Sequence, residues 1–279
     1  MNNLEFSVLL ASGSLGAGFL GALTGLGGGV VLVPLLALGF HVDIRYAIGA
    51  SLVSVIATSS GAAAAYVRDG YSNLRIGMFL EVWTTLGALA GAWLAGLLPQ
   101  AAIAVVFGLV LLHSAWLAAR PKPAPAGATE ETSRLAARLR MDSTYPGPTG
   151  PVPYRAHSIP GGAALMGLAG FLSGLLGIGS GAVKVLAMDR VMRLPFKVST
   201  TTSNFMIGVT AAASAGIYLH RGYVEPGIVM PVIIGVLIGS FAGSRVLVGA
   251  RTRVLRSVFA VVISLLGAEM IYHGLTGRL

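Results

Sequence analysis

The chain has 279 residues, 55% of them hydrophobic and only 10% charged, with a mean hydropathy of +0.81. Soluble domains carry about 25% charged residues, so this composition excludes a soluble globular protein and places the chain in a bilayer. The absence of cysteine excludes disulfides, thiolate metal sites and cysteine nucleophiles. The net charge of +9 comes from basic residues set between apolar spans, where they orient the chain and meet anionic headgroups rather than nucleic acid.

The N-terminus, Met1 to Glu5, holds no Lys or Arg before the first apolar run, which argues against a cleaved signal peptide. Five apolar segments follow, at residues 6–24, 28–40, 46–67, 76–97 and 100–118. Each is read as α-helical, because a backbone facing lipid must satisfy its own hydrogen bonds. The second is too short, at 1.5 Å per residue, to cross a core about 30 Å thick. It is a half-helix, a re-entrant element or the lower part of a broken span.

The next stretch, residues 119–159, is read as a linker. Eight prolines fall between Pro121 and Pro160. No packed core is expected of it, only a solvated tether resting on anionic lipid. Within it, residues 129–140 are expected to form a short helix. Thr129 would cap it, Glu130 and Glu131 suit its positive end, and Arg138 and Arg140 suit its negative end.

Five further segments follow, at 160–176, 180–192, 198–219, 227–246 and 254–273, and the second is again short. These repeat the first five. Residues 18–33 and 170–185 match at nine of sixteen positions, and the offset of 152 then holds without a gap. Ser51 meets Ser203, Thr58 meets Thr210, Gly70-Tyr71 meets Gly222-Tyr223, and Gly87 and Gly91 meet Gly239 and Gly243. The chain is therefore divided into an N-terminal repeat (1–118), the linker (119–159) and a C-terminal repeat (160–279). The expected fold is an all-α integral membrane protein of two homologous halves with about five helical segments each, arranged as inverted-topology repeats with broken or short helices near the midplane.

Charge supports the inversion. If the short segments cross, one side holds Arg68, Arg75, Arg190, Arg193, Lys197, Arg245, Arg251, Arg253, Arg256 and the six basic linker residues, while the other keeps Arg45, Arg221 and Arg278. Cytoplasmic loops are enriched in Lys and Arg, so both termini are expected outside.

Each half carries a glycine run where its second segment begins: Gly25, Gly27, Gly28 and Gly29 in the first, Gly177, Gly179, Ser180 and Gly181 in the second. Glycine lets the chain leave helical geometry at little steric cost. A helix restarting there presents free N–H donors and partial positive charge, which favour an anion. Matching interruptions in two repeats are also a pointer to a transport site. Close helix packing is the alternative for glycine, and it accounts for Gly87, Gly91, Gly239 and Gly243.

Lys184, whose repeat partner is Leu32, would stand one turn inside the second short segment. A cation within a span is by default functional. It would pair with an anionic ligand or a carboxylate, or else with Asp189 for structure. The hydroxyl-rich third segments add Ser51, Ser203 and Asn204 as ligand candidates, although most such hydroxyls bond back to helix carbonyls. Glu81, His113, Asp189 and Glu269 are the remaining ionisable residues in spans, and a proton-coupled carrier needs at least one. There is no metal-ligand spacing, Ser-His-Asp set or Gly-x-Ser-x-Gly.

The duplicated Gly-x-Gly-Gly-Gly-x-x-x-x-Pro of Gly25 to Pro34, with the Ala47 to Ser51 run after it, resembles the signature of the TauE/SafE sulfite exporter family, also called the toluene-sulfonate uptake permeases. The resemblance covers both halves. It implies a multi-pass carrier of the bacterial inner membrane for sulfite, sulfonates, sulfoacetate or related anions. The second half departs from the pattern at Ser180, Lys184, Leu186 and Thr200 to Ser203. The expectation is thus a secondary active transporter working by alternating access, with a small anionic substrate, a proton as coupling ion, no cofactor, no metal and no nucleic acid. A homodimer is compatible with it. The alternatives are a passive anion channel of the same fold, an intramembrane enzyme, which lacks a nucleophile–base motif, and a cation exporter, which would need more buried carboxylates.

Overall fold

The structure, a computed structural model, describes residues 3–24, 28–68, 70–119, 134–139, 141–147, 150–249 and 252–277. The first half comprises α1 (Asn3–Thr24), α2 (Gly29–Pro34, continued by a π-helical turn Leu35–Gly39), α3 (Ile44–Arg68), α4 (Leu74–Ala95) and α5 (Gln100–Ala119). The second comprises α7 (Ile159–Leu176), α8 (Gly181–Leu186, continued by a π-helical turn Ala187–Val191), α9 (Phe196–His220), α10 (Pro226–Gly249) and α11 (Thr252–Thr276). All ten expected segments are helical, and the two short ones are short. Among the described residues, α1, α4, α7 and α10 each contain a stretch long and apolar enough to cross a membrane. Exposed Leu, Val, Ile and Phe side chains cover the outside, together with Trp83, Trp93 and Trp116. An apolar surface of this kind is one that lipid, not water, solvates.

The halves are interleaved. α1 packs along α10, α7 packs along α4, and α5 packs along α11. Glycine makes the first two contacts close. A Cβ at Gly91 would overlap the Phe171 carbonyl oxygen, and one at Gly239 would overlap that of Leu15. The direction of each pair follows from its neighbours. Gly235, Gly239 and Gly243 meet Ala11, Leu15 and Phe19 in that order, so α1 and α10 run parallel. Gly87 and Gly91 meet Gly167 and Phe171, so α4 and α7 also run parallel. Gly108 meets Gly267, whereas Gly274 meets Ala101 and Val105, so α5 and α11 run antiparallel.

The linker differs from a solvated tether. It contains α6 (Arg134–Arg138) and a hairpin of β1 (Ser143–Gly147) and β2 (Gly150–Tyr154), antiparallel with Ser143 opposite Tyr154. Ala136, Met141 and Ala156 are buried in an apolar cluster with Ile76, Leu80, Met188, Met192 and Met206 of the membrane helices. The expected cap Thr129 lies outside the described residues. What the linker cannot bury within itself, it buries on the helix ends.

Two opposite ends of α4 are thereby defined. At its start, Asn73 donates through Nδ2 to Tyr154 Oη (2.7 Å), accepts from the Ile76 amide through Oδ1 (3.0 Å), and donates its own amide to Thr202 Oγ1 (3.0 Å). At its far end, Arg221 donates to the carbonyls of Ala92 and Trp93, and Arg45 to that of Leu98. Arg45 and Arg221 thus share the end of the molecule remote from the linker.

Candidate functional site

The second glycine run breaks its helix. α7 ends in Gly177 (φ 70°), Gly179 follows at φ 67°, and Ser180 at φ 45° leads into α8. Three left-handed residues within four turn the chain out of one helix and into the next. Ser180 adopts a conformation that a side chain disfavours, which marks the turn as one the surrounding packing enforces. In the first half α1 stops at Thr24 and α2 starts at Gly29. Gly25 and Gly27 lie outside the described residues. Gly28 directly precedes α2, against the backbone of Gly18 and the side chain of Val236.

The two interruptions meet. A Cβ at Gly29 would lie 2.8 Å from the Gly177 carbonyl oxygen and 2.6 Å from Ser51 Oγ. Ser51 Oγ itself donates to the Gly177 carbonyl at 2.7 Å. Gly179 packs between Val55 of α3 and Ile207 of α9, and Ser203 Oγ reaches the Gly181 carbonyl at 3.4 Å. So Gly29, Ser51, Gly177, Gly179, Ser180, Gly181 and Ser203 form one cluster where α3 and α9 cross. Among the described residues, Asn204 makes no hydrogen bond to either break and is only partly buried. The other hydroxyls of α3 behave structurally: Ser54, Thr58 and Ser60 donate to carbonyls three or four residues back.

Lys184 is fully buried, at 0% exposure. Its Nζ donates to Thr210 Oγ1 of α9 (2.5 Å), and Thr210 Oγ1 donates on to Glu81 Oε1 of α4 (2.6 Å), with the Met206 carbonyl also within its reach at 2.8 Å. Thr85 Oγ1 adds a longer bond to Glu81 Oε1 (3.2 Å). The alternative partner Asp189 is not used. It faces Arg190 at 4.0 Å, with both side chains partly exposed. Three elements, α8, α9 and α4, thus bring together a cation, a hydroxyl and a carboxylate in the buried interior.

Glu81 was not among the expected site residues. The signal for it lies in the repeat. Glu81 aligns with Ile233 and Lys184 with Leu32, so each repeat contributes one of the two charges and has an aliphatic residue at the position equivalent to the other. His113 and Glu269 are exposed, as span-end residues should be.

Chemically, the cluster is rich in donors. The Ser173 and Ser180 hydroxyls are buried with no hydrogen-bond partner among the described residues, and the first amides of α2 and α8 have no acceptor within their own helices. One acceptor, Glu81 Oε2, is likewise buried without a partner. Buried polar groups are almost always satisfied. The side chains of Ser14, Ser72 and His157 elsewhere also lack partners among the described residues, so the unpartnered atoms here gain meaning only from standing with the two helix breaks. No group of three or more metal-ligand side chains occurs among the described residues.

The family model for the sulfite exporter TauE/SafE matches residues 10–270. The chain belongs to the TauE/SafE sulfite exporter family. As a TauE/SafE member it is a multi-pass membrane protein of a family of membrane transporters. It is similar along nearly its whole length to the probable membrane transporter protein YunE of Bacillus subtilis (strain 168), with 27% identity covering 98% of this chain and 99% of that one. A second B. subtilis protein, the probable membrane transporter YdhB, is 26% identical over 82% of this chain and 83% of its own. A probable membrane transporter of Xylella fastidiosa (strain 9a5c) is 25% identical over 95% of each. No solved structure matches the chain.

Proposed function

We propose that this protein is a secondary active transporter that moves a small sulfur-containing or organic anion, such as sulfite or a sulfonate, across the bacterial inner membrane by alternating access. The observation that carries this reading is the meeting of the two helix breaks, with Gly29 against the Gly177 carbonyl, and the buried Lys184 on the short helix that leaves the second break. A sulfonate presents three oxygens that only accept hydrogen bonds. The second break and the short helix after it offer what such a group needs: the Ser180 hydroxyl, without a partner among the described residues, helix-start amides, and the Lys184 cation.

The halves are read as inverted-topology repeats. Support comes from α5 and α11, which occupy equivalent places in the duplication and run antiparallel, while α1 and α10, and α4 and α7, run parallel. That set of directions is self-consistent when one half is turned over and each short segment reverses the chain. The docked linker, with Arg75 and Lys197 at the same ends of their helices, then marks the cytoplasmic face, and Arg45 and Arg221 the outer face. Burial of Ser51, Ser180 and Lys184 fits a closed state, from which rocking of one repeat against the other would open either side.

The test is flux of labelled sulfite and methanesulfonate in proteoliposomes. The expected result is saturable uptake that is accelerated by unlabelled anion on the far side. Non-saturating flux without such exchange would overturn the carrier reading in favour of a channel.

A further inference from the structure

Glu81 poses a problem that the anion reading has to answer. A buried carboxylate repels an anion, yet Glu81 lies with one oxygen bonded and the other, Oε2, without a partner among the described residues, and only 6% of the residue is exposed. Meanwhile the Lys184 charge that would attract the anion is committed, through Thr210, to Glu81. The charges cancel in the state seen here. We propose that Glu81, Thr210 and Lys184 form the coupling element of transport, in which a proton taken up by Glu81 releases Lys184 to the entering anion. This rests on the anion-carrier reading above and names its coupling residue.

The charge balance is explicit. In the closed state Lys184 is positive and Glu81 negative, so the site is neutral. A proton from water converts the Glu81 carboxylate to a carboxylic acid, and one monoanion pairs with Lys184. The loaded site is again neutral. Two changes of opposite sign in a low-dielectric interior avoid the large cost of an uncompensated buried charge. Protonated Glu81 also gains an O–H, so Oε2 changes from an unpaired acceptor to a donor, the polarity the rest of the cluster has. Thr210 is suited to the exchange, because its hydroxyl accepts from Lys184 while donating to Glu81, and its single O–H can turn to the Met206 carbonyl once Glu81 is neutralised.

Few other groups interfere. α7, packed along α4, carries no ionisable side chain. On α9, Lys197 and His220 lie near its two ends, away from Thr210. α8 contributes Lys184 itself, and its π-helical turn contributes Asp189 and Arg190, which are partly exposed and face each other. On α4, Arg75 stands at the first turn, more than one turn from Glu81. The repeat adds an independent argument. At the mirrored positions Leu32 is fully buried and Ile233 packs against the core, so the lattice of helices tolerates an apolar pair, and a charged pair is not required for folding as such.

The experiment uses the full chain in proteoliposomes with methanesulfonate, a monoanion that does not titrate near neutral pH. An inward proton gradient is expected to drive accumulation, and a membrane potential alone is not, because one proton and one monoanion enter together. Calorimetry in two buffers of different ionisation enthalpy is expected to show uptake of about one proton per anion bound. Glu81→Gln should bind methanesulfonate without proton uptake, and its flux should respond to potential and no longer to the proton gradient. Wild-type flux driven by potential and indifferent to the proton gradient would overturn the inference, as would anion binding without proton uptake. Persistence of proton-driven accumulation in Glu81→Gln would do the same. If Glu81→Gln does not fold, the wild-type measurements decide alone. If the wild type binds neither methanesulfonate nor sulfite, the anion reading falls and takes this inference with it, whereas binding without proton uptake removes the inference only.

Discussion

The Ser51 hydroxyl, in the first repeat, donates to the Gly177 carbonyl in the break of the second at 2.7 Å. One half of the duplication thus satisfies an orphan helix-end carbonyl of the other. Ser51→Ala leaves that buried oxygen without its donor, at a cost of about 1–3 kcal/mol. Ser203→Ala removes a bond of only 3.4 Å and should cost less than its repeat counterpart. Thermal unfolding of both variants in detergent checks the order. Equal shifts would mean that the contact between halves carries no special weight.

Close approach of helices predicts a second asymmetry. Gly91→Ala and Gly239→Ala place a methyl against a backbone carbonyl that cannot move aside, so the helices must separate. The expected loss is about 1–3 kcal/mol in each case. Gly16→Ala meets nothing within 4 Å and should be neutral or stabilising by about 0.5–1 kcal/mol, since alanine favours helix. Size-exclusion profiles and unfolding temperatures of the three variants provide the comparison.

The charged chain from α8 to α4 changes what removal of Lys184 should do. Truncating a cation that served only a ligand would spoil binding and leave folding intact. With Glu81 as its partner through Thr210, Lys184→Leu strands a buried carboxylate, which costs about 3–5 kcal/mol. The double variant Glu81→Ile with Lys184→Leu copies Ile233 and Leu32 at the equivalent positions of the repeat. It should regain most of that stability and still bind no anion. A double variant as unstable as the single one would show that the two residues are not paired.

These three cases also show which parts could be read in advance. The glycine runs located both short segments to within a residue or so, because three glycines in a lipid-buried stretch conflict with a continuous helix. The spacing of Gly87, Gly91, Gly239 and Gly243 likewise announced close packing. The partner of Lys184 was not legible from local pattern. It sits on α4 in the opposite half, and only the interleaving of repeats brings it near. Comparing positions 32 and 184 with 81 and 233 offered the clue, since a cation and an anion break the symmetry together. The packing of the linker is hidden in the sequence by its prolines, which suggest that nothing there can pack. Proline disfavours helix interiors and central strands, but it is compatible with a two-stranded hairpin whose flanking residues Met141 and Ala156 rest on neighbouring helices.

The docked linker makes its own prediction. Tyr154 accepts from Asn73 at the start of α4, and burial lifts its phenol above the ordinary 10.0, with the Asn73 bond acting in the other direction. The docked form therefore holds its proton more tightly than the free one. That contribution is fully present below about pH 10 and is lost as pH rises through the docked value. Tyr154→Phe should loosen the hairpin by about 1 kcal/mol, read as faster proteolysis between residues 141 and 156 at neutral pH. Wild type should show the same acceleration only in strong alkali.

The most direct test of the central claim is a ligand-bound structure of the wild-type protein with methanesulfonate or sulfite. The account predicts an anion in contact with Lys184 and Ser180, between Gly29 and the Gly177–Gly181 turn, with Glu81 no longer linked to Lys184 through Thr210. An anion bound elsewhere, with the Lys184–Thr210–Glu81 chain unchanged, would contradict it.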